Sequence, residues 1–289
     1  MLNTLIYKAK IVRSLFVSDK QYLKKRFIKK LGYVPDFNEP KTFNEKVTAR
    51  MIYDRCPFYT VLADKHAVRD LVANRIGTQY LVPLLGVHHY FEDIKFDLLP
   101  QQFVLKCTHD SGSAVICKKK DTLDMPHVKK KMNRSLSMNM YYRKREWHYK
   151  NITPKIMIEK YVELYVDQIT QSTITTCRVH CFQGKPKFIE VDITGADGIE
   201  YSNIYNTLWE LQSFTVDGKK NTPLDVKEPV EFVKMLELAE QLCFKYGYSR
   251  IDFLLTKDTV YFSEITLTPN AGRMVIEPKQ WDETLGLLW

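Results

Sequence analysis

Two acidic side chains near the carboxyl end of the sequence are spaced to face each other across a β-hairpin. Asp252 and Glu264 each lie six residues from Asp258, where two runs of alternating side chains are separated by a turn. That register would place their Cβ atoms roughly 4.5–5.5 Å apart, which is unfavourable unless a cation bridges the carboxylates or one is protonated. Mg²⁺ fits such a pair, and Arg250, on the same face as Asp252, can hold a transferring phosphoryl group. The alternative is an edge hairpin shifted by one residue, with one acid in solvent.

A second candidate is a glycine-centred loop between two short β-like runs, FVLKC and AVICK. Lys106 and Lys118 lie equally far from Gly112, so a symmetric hairpin would place them opposite each other on one face. There they would repel unless an anion lies near. The backbone N–H groups of Ser111, Gly112 and Ser113 can approach phosphate oxygens, as in other glycine-rich phosphate loops. The spacing is not that of a Walker A motif, and a polar turn with solvated lysines is the alternative.

The third candidate is the apolar strand IMIEKYV, which ends at Glu159 and continues into a short connector. A hinge between two lobes can offer backbone groups and an apolar wall to a purine in this way. Asp167, shortly beyond, is placed to reach a ribose hydroxyl. An ordinary buried strand end predicts the same pattern, so this segment alone decides nothing.

The elements that must position these residues follow from hydrophobic periodicity. Residues 19–75 are predicted to be mainly helical with a break at residues 32–40, and Thr42 and Glu45 predict a capping box for a helix through Met51. Strands are predicted at Gln102–Cys107, Ala114–Lys118, Lys155–Glu159, Ile174–Phe182, Lys187–Ile193, Arg250–Leu255 and Val260–Thr266.

Two further helices are predicted at residues 125–140 and 229–246, and a loop or excursion at residues 197–223. Strand pairs interrupted by helices, behind a helical front end, predict an α+β fold with mainly antiparallel sheets.

Composition narrows the class of protein. With 289 residues, 45% hydrophobic and 27% charged, the chain is long enough for a large core and is not disordered. No apolar run approaches the roughly 18–20 residues that a spanning helix needs, and the amino-terminal segment lacks the features of a secretory signal. The six cysteines include no C-x-x-C pair, which indicates reduced cytosolic thiols.

The positive charge is concentrated at the amino terminus. The whole chain carries +9, but residues 1–31 hold nine Lys or Arg and one Asp, a net +8. The apolar sets Leu2/Leu5/Ile6 and Ile11/Leu15/Phe16 recur there at helical spacing. Such a helix can lie on an anionic membrane surface, or it can pack on the body by the same stripe. Nucleic acid is not a predicted partner, because the body has no second basic, aromatic-interleaved surface.

The sequence lacks the short motifs that mark several common enzyme classes. The sequence has no G-x-G-x-x-G, no G-x-S-x-G and no H-E-x-x-H. The absence of a D-x-D of the kind that many metal-dependent nucleotide-sugar transferases use argues against a glycosyltransferase, which nevertheless stays open as an alternative.

The order of these segments resembles the ATP-grasp enzymes: a lysine-bearing strand pair with a glycine loop, an E-K-Y hinge, and a terminal hairpin with R-x-D and E. The segment ADKHAVR, followed by IGTQYLVP, adds to the match. The words NEKVTARMIYD, FVLKCTHDSGS, EWHYKNITPKIMIEKY and SEITLTPNAG resemble specifically the TupA-like ATP-grasp group, which is linked to teichuronopeptide and other surface-polysaccharide pathways. The resemblance covers about Asn38 to Arg273.

The resemblance implies a fold and a set of site residues. The fold is ATP-grasp, with two α+β lobes of mainly antiparallel sheets that sandwich ATP, behind a helical amino-terminal region. Implied contacts to ATP are Arg69, Lys106 and the weaker candidate Lys118 at the phosphates, Ser111, Gly112 and Ser113 as a lid, Glu159, Lys160 and Val162 at the adenine, and Asp167 at the ribose. Asp252 and Glu264 would bind Mg²⁺, Arg250 would stabilise an acyl phosphate, and Arg178 would lie near the γ-phosphate or acceptor. Many ATP-grasp enzymes have E-x-N at the metal; here Thr266 takes the third position, and Asn270 is the expected substitute.

The implied activity is that of a carboxylate–amine ligase that uses ATP and Mg²⁺ and forms an acyl phosphate. The expected acceptor is a uronic-acid carboxylate on an anionic glycan precursor of a capsule or O-antigen, and the donor is an amino acid or other amine.

The expected location is cytoplasmic, with peripheral contact at the inner face of the plasma membrane. The expected segments are a basic helix over 1–35, a helical region over 36–100, and ATP-grasp lobes over 101–160 and 161–289. A regulatory protein that has lost turnover is a further alternative, supported by Thr266.

Overall fold

The chain forms nine α-helices and eleven β-strands within the described residues. The structure, a computed structural model, describes residues 2–289, with side chains from Leu5 onward; Met1 and the side chain of Leu2, part of the predicted apolar stripe, lie outside the described residues. The helices are α1 (Leu2–Phe16), α2 (Asp19–Leu31), α3 (Phe43–Tyr53), α4 (Phe58–Ala63), α5 (Val68–Ile76), α6 (Met125–Leu136), α7 (Met140–Lys144), α8 (Phe232–Leu242) and α9 (Gln280–Leu287). The strands are β1 (Leu84–His88), β2 (Phe103–Cys107), β3 (Val115–Cys117), β4 (Ile156–Lys160), β5 (Thr173–Phe182), β6 (Lys185–Thr194), β7 (Glu200–Asn206), β8 (Thr215–Val216), β9 (Tyr248–Leu255), β10 (Val260–Thr266) and β11 (Ile276–Glu277).

The chain divides into two compact units. The first contains the segment up to Asp19 together with Arg55–Leu71 and Val82–Val162, and the second contains Lys20–Asp54, Val72–Leu81 and Glu163–Trp289. Each unit has its own antiparallel sheet and its own core.

The first unit is built on a four-stranded antiparallel sheet with strand order β1-β4-β2-β3. Helix α6 packs on this sheet, and Phe103, Leu105 and Ile158 are buried with Val128 and Met132 of the helix. Because side chains alternate across a strand, the residues between these apolar positions, including Lys106 and Glu159, lie on the opposite face.

The second unit is built on a five-stranded antiparallel sheet with strand order β10-β9-β5-β6-β7. Helix α8 packs against β5, β6 and β9. Cys177, Val179, Ile251 and Phe253 are completely buried, and they alternate along their strands with charged residues on the other face. One face therefore supplies apolar packing, while the other carries the side chains that can do chemistry.

The sequence predicted most elements but did not name β7. All seven named strands are present, and Thr42 and Glu45 form the expected reciprocal capping box at the start of α3. Residues 197–223, predicted as a loop or excursion, include β7, a full strand of the large sheet, before the chain leaves the sheet. Its polar residues obscured the pattern: Ser202 is buried on the charged face, where its hydroxyl donates to Glu190.

Between residues 2 and 289, no helix combines the length and apolar character needed to cross a bilayer.

Candidate active site

Asp252 and Glu264 face each other across the β9–β10 hairpin, as the sequence predicted. The register near the turn, with Val260 opposite Leu255, would by itself place Glu264 opposite Ile251. An irregularity between Phe262 and Glu264 shifts the pairing by one residue and brings the two acids together. Asp252 is buried, whereas the Glu264 side chain is 31% exposed.

Arg250 lies on the same face and binds Asp252 through both ends of its guanidinium group. Its Nε donates to Oδ1 at 2.7 Å and its Nη2 to Oδ2 at 2.6 Å. The same Nη2 donates to the Thr266 hydroxyl at 3.1 Å, and that hydroxyl is 3.4 Å from Glu264 Oε1. Burial raises the pKa of Asp252, and the nearby Glu264 charge raises it further, while the Arg250 charge opposes both effects. The guanidinium of Arg250 is thus a fixed positive charge directly beside Asp252 and Glu264.

Arg178 extends the charged cluster onto the neighbouring strands. It is opposite both Glu190 and Asp252 in the sheet; its Nη1 donates to Glu190 at 2.9 Å, its Nη2 pairs with Asp192, and its Nε is 4.0 Å from Asp252. Lys219 approaches from beyond β8 and contacts Glu190 at 3.2 Å and Asp192 at 2.7 Å. The family resemblance implied that Arg178 lies near the γ-phosphate or acceptor. The structure brings Arg178 together with Asp252, and its role stays a prediction.

Glu190 is also flanked by a buried histidine. His180 Nε2 is 3.6 Å from Glu190 Oε2, and its Nδ1 is 3.0 Å from the Tyr248 hydroxyl. Burial lowers the pKa of His180 and raises that of Tyr248, so both groups are held in their neutral forms, joined by a hydrogen bond. Burial alone would raise the pKa of Glu190, but the hydrogen bond from His180 and the charges of Arg178 and Arg250 keep it well below its ordinary range.

Sequence reasoning missed Glu190, Asp192, His180 and Lys219. The signal was present in FIEVDI, where two acids alternate with the apolar residues of a strand that was itself predicted. Two acids on one face of a buried strand require cationic partners, so this strand indicates a second charged cluster beside the terminal hairpin.

In the first unit, Glu159 joins the two predicted phosphate-binding cations. Arg69, near the start of α5, donates to Glu159 Oε1 at 3.0 Å, and Lys106 Nζ is 2.7 Å from Oε2. Arg69 also donates to the backbone carbonyl of Val82 at 2.8 Å. All three charged side chains are largely buried, with exposures of 14%, 14% and 6%. Two cations are therefore held together by one carboxylate.

The predicted pairing of Lys106 with Lys118 is wrong. Strand β2 pairs with β3 so that Phe103 is opposite Cys117 and Leu105 is opposite Val115, a register that puts Lys106 opposite Ala114. The loop is thus not centred on Gly112, and Lys118 is exposed beyond the end of β3. The error came from assuming a hairpin centred on Gly112, whereas the register of β2 with β3 centres the loop on Asp110.

The loop itself is closed by Ser113. Its hydroxyl donates to Asp110 Oδ1 at 2.5 Å and accepts from the Cys107 N–H at 2.8 Å. Ser111 and Gly112 are exposed, and a Cβ added to Gly112, at φ 90°, would meet nothing within 4 Å. An exposed, permissive tip anchored by a buried serine suits a lid, although the lid role stays a prediction.

The adenine and ribose candidates lie on the connection after β4. Lys160 is exposed and donates its N–H to Pro83 at 2.9 Å, while Val162 is half-buried. Asp167 accepts from the N–H groups of Ile169 and Thr170 at 3.0 and 2.7 Å through a single oxygen, Oδ1. These bonds lower its pKa, the one from Thr170 most. Asp167 closes a turn, and its ribose role stays a prediction.

Asn270 contacts a residue other than the two opposed acids. Its amide Nδ2 donates to Asp217 Oδ2, and the residue has a left-handed backbone with φ 48°. The Thr266 hydroxyl contacts Glu264 Oε1 at 3.4 Å. The role of Asn270 as a metal ligand stays a prediction.

Comparison with known proteins gives the family of this chain. A sequence profile described as TupA-like ATPgrasp matches residues 45–288, which is most of the chain. The chain belongs to the TupA-like ATP-grasp family. No curated protein matches the sequence. The family assignment confirms the predicted α+β ATP-grasp fold class, and it supports the predicted class of ATP-dependent ligase with ATP and Mg²⁺ as cofactors.

Solved structures with a similar fold are distant in sequence. An L-amino acid ligase from Bacillus licheniformis is 14% identical with a TM-score of 0.46, over 79% of this chain and 49% of that protein. A D-alanine–D-alanine ligase from Bacillus anthracis, complexed with ATP, is 16% identical with a TM-score of 0.38, over 72% and 55%. A RimK domain ATP-grasp protein from Sphaerobacter thermophilus is 13% identical with a TM-score of 0.40, over 84% and 67%. The chain thus spans about half the length of the first two.

The donor set of this ATP-grasp chain suits one kind of metal site. Among the described residues, no three His, Cys, Asp or Glu side chains come together as a ready-made metal site. Asp252 and Glu264 provide two facing carboxylates. Mg²⁺ commonly takes one or two carboxylates and completes its shell with water and substrate phosphate oxygens. The two acids therefore fit Mg²⁺ that arrives with a nucleotide.

Proposed function

We propose that this protein is an ATP- and Mg²⁺-dependent carboxylate–amine ligase that acts through an acyl phosphate. One observation carries the proposal: the opposed pair Asp252 and Glu264 lies beside Arg250 and Arg178 on one face of a sheet, in a chain of the ATP-grasp family. Phosphoryl transfer requires fixed charge around the transferring group more than it requires a protein nucleophile.

In the second unit, the charge of each clustered side chain indicates its role in phosphoryl transfer. Asp252 and Glu264 would hold Mg²⁺, which supplies charge neutralisation at the phosphate oxygens. Arg250 would exchange one of its bonds to Asp252 for a phosphoryl oxygen, since a guanidinium fork fits phosphate as well as carboxylate. Arg178 would lie beside it and be held in place by Glu190, Asp192 and Asp252.

In the first unit, Arg69 and Lys106 would neutralise nucleotide phosphate oxygens. Glu159 binds both cations and so keeps two like charges close together without a ligand. The loop tip at Ser111 and Gly112 would cover the phosphates, and the backbone of Glu159, Lys160 and Val162 would frame the adenine. Excluding water matters here, because an acyl phosphate is readily hydrolysed.

The reaction then has two steps. A substrate carboxylate oxygen attacks the γ-phosphorus of ATP, and the bond to the β-phosphate oxygen breaks to release ADP. An amine next attacks the acyl carbon, phosphate leaves, and the amine loses a proton to give an amide. We infer from the family resemblance that the acid is a uronic-acid carboxylate on an anionic glycan precursor for a surface polysaccharide, and that the donor is an amino acid or other amine.

The proposed location is the cytoplasm, with peripheral contact at the inner face of the plasma membrane. The six cysteines are free thiols, five of them buried, which suits a reducing compartment. ATP as a substrate points to the same place.

The test is an isotope-transfer experiment. The protein is incubated with Mg²⁺-ATP, an amine, and uronic acids labelled with ¹⁸O in the carboxylate, and the products are examined by mass spectrometry. The proposal expects ADP, an amide, and one ¹⁸O in the released phosphate. Label in AMP, or transfer of a sugar from a UDP-sugar in the same mixture, would contradict it. ATP binding without turnover across a broad panel of acids and amines would favour a regulatory protein.

A further inference from the structure

Helix α1 packs on the first unit by one face only. The side chains of Tyr7, Lys10, Ile11 and Ser14 are partly buried, and α1 contacts α7. The Tyr7 hydroxyl accepts a hydrogen bond from the Asn139 N–H, which precedes α7, at 2.8 Å. At 100° per residue these positions share one side of the helix.

The opposite face of α1 is apolar and exposed. Leu5, Val12 and Phe16 are spaced seven and four residues apart and are 68%, 55% and 81% exposed, with Leu15 beside them at 77%. Ala9 completes the stripe. The sequence left open whether the apolar residues pack on the body or face outward. The structure shows that Ile11 turns inward, whereas most of the others, including Leu15 and Phe16, face solvent.

The charge of α1 indicates which partner covers this stripe. Residues 2–16 contain Lys8, Lys10 and Arg13 and no acidic residue. By helical position Lys8 and Arg13 flank Leu5, Ala9, Val12 and Phe16 on their two sides, and Leu15 lies next to Lys8. A second copy of α1 would bring the same positive charges together, whereas an anionic bilayer would attract them and receive the apolar side chains at its headgroup boundary.

We propose that the exposed face of α1, formed by Leu5, Ala9, Val12, Leu15 and Phe16, is a docking surface for an anionic lipid bilayer. The helix lies in the plane of the membrane, with the stripe inserted and Lys8 and Arg13 at the phosphate level. This surface would provide the peripheral contact proposed above, and it is independent of the ligase chemistry because none of the proposed catalytic residues lies on α1.

The experiment is vesicle co-sedimentation of the full-length chain. Vesicles of phosphatidylcholine alone are compared with vesicles in which about one lipid in three is the anionic phosphatidylglycerol. The test variant is Val12→Ser with Phe16→Ser. The matched control is Ile169→Ser with Val230→Ser, which removes two apolar side chains that are 84% and 99% exposed elsewhere. Lys8→Gln tests the charge, and Lys8→Arg should preserve binding.

The proposal expects binding to the anionic vesicles only. It expects Val12→Ser/Phe16→Ser to weaken that binding by on the order of tenfold or more and Lys8→Gln by about fivefold, with the control unchanged. Melting curves and ATP-induced stabilisation should be the same in all variants, so a failure of the ligase assignment would be recognised separately. Equal binding to neutral vesicles, or unchanged binding by the test variant, would overturn the proposal. So would a dimer in sedimentation velocity that Val12→Ser/Phe16→Ser dissociates while vesicle binding is absent.

Discussion

Arg250 holds Asp252 by two parallel hydrogen bonds, 2.7 and 2.6 Å long, from two residues away on the same strand. Both side chains are buried, and Asp252 also faces Glu264 across the hairpin. The fork fixes the orientation of the carboxylate and places a guanidinium where phosphate oxygens would meet a metal held by the two acids. Burial opposes the charge on Arg250, but Asp252 outweighs it and raises the pKa of the guanidinium.

The first prediction concerns the charge of Asp252. Asp252→Asn should lower Mg²⁺-dependent ADP formation at least about 100-fold, because a metal ligand and a fixed charge at the transferring group are both lost. Steady-state ADP release measures the effect. Asp258→Asn is the matched control, since Asp258 is exposed in the turn of the same hairpin. Circular dichroism should show that both variants fold. Full activity in Asp252→Asn would show that the terminal hairpin is not the metal site.

The second prediction concerns Glu159. Glu159→Gln leaves Arg69 and Lys106 close together without their shared anion, which should lower the free energy of unfolding by roughly 3–5 kcal/mol. Urea denaturation measures this loss. If these cations bind ATP phosphates, ATP should stabilise Glu159→Gln more than the unaltered protein, because the phosphates replace the missing negative charge. Lys106→Met should reduce the ATP effect in both backgrounds. An equal ATP effect with and without Glu159 would argue that this cluster is purely structural.

The third prediction concerns the loop that follows β10. Gly272 and Gly218 both have left-handed backbones, at φ 68° and 70°, but only a Cβ at Gly272 would collide, at 2.1 Å from Thr48 Oγ1 and 3.0 Å from the Thr48 nitrogen. Gly218→Ala should therefore cost about 1 kcal/mol from backbone strain alone. Gly272→Ala should cost a further 1–3 kcal/mol, because α3 must move away from the loop. Chemical denaturation of the two variants makes the comparison, and equal losses would contradict the close contact.

The fourth prediction concerns pH and follows from His180. Burial lowers its pKa in the folded protein below the ordinary 6.5, so between the two values the unfolded chain binds the proton and the folded chain does not. Stability should therefore fall as the pH drops through 6.5, by up to about 1.4 kcal/mol per pH unit from this residue. Unfolding measured from pH 7.5 to 5.5 should show a shallower slope for His180→Gln. An unchanged slope would mean that His180 titrates alike in both states.

Much of this architecture was predictable because it rests on local patterns. The alternation of apolar residues in RIDFLL and VYFSEIT predicted both strands, and Thr42 with Glu45 predicted the start of α3. The pairing of Asp252 with Glu264 was also predicted correctly, but it depends on the register shift between Phe262 and Glu264. No local sequence pattern predicted that shift.

What could not be predicted depends on partners far apart in the chain. The register of β2 with β3 separates Lys118 from Lys106. Lys106 pairs with the carboxylate of Glu159, and the sequence had suggested an anion between the two lysines instead. Lys219 meets Glu190 and Asp192 only because a long excursion after β7 returns to the sheet. Such contacts are set by tertiary packing, and the spacing of residues in the sequence does not predict them.

The most direct test of the central claim is a thermal-shift comparison of ATP, ADP, GTP and UDP-sugars, each with and without Mg²⁺. A ligand present at about 100 times its dissociation constant should stabilise the folded protein by roughly 2.7 kcal/mol, which is readily seen in the melting temperature. ATP and ADP should stabilise the protein, Mg²⁺ should strengthen this effect, and Asp252→Asn should abolish the contribution of Mg²⁺. Stabilisation by UDP-sugars alone would contradict it and favour a glycosyltransferase.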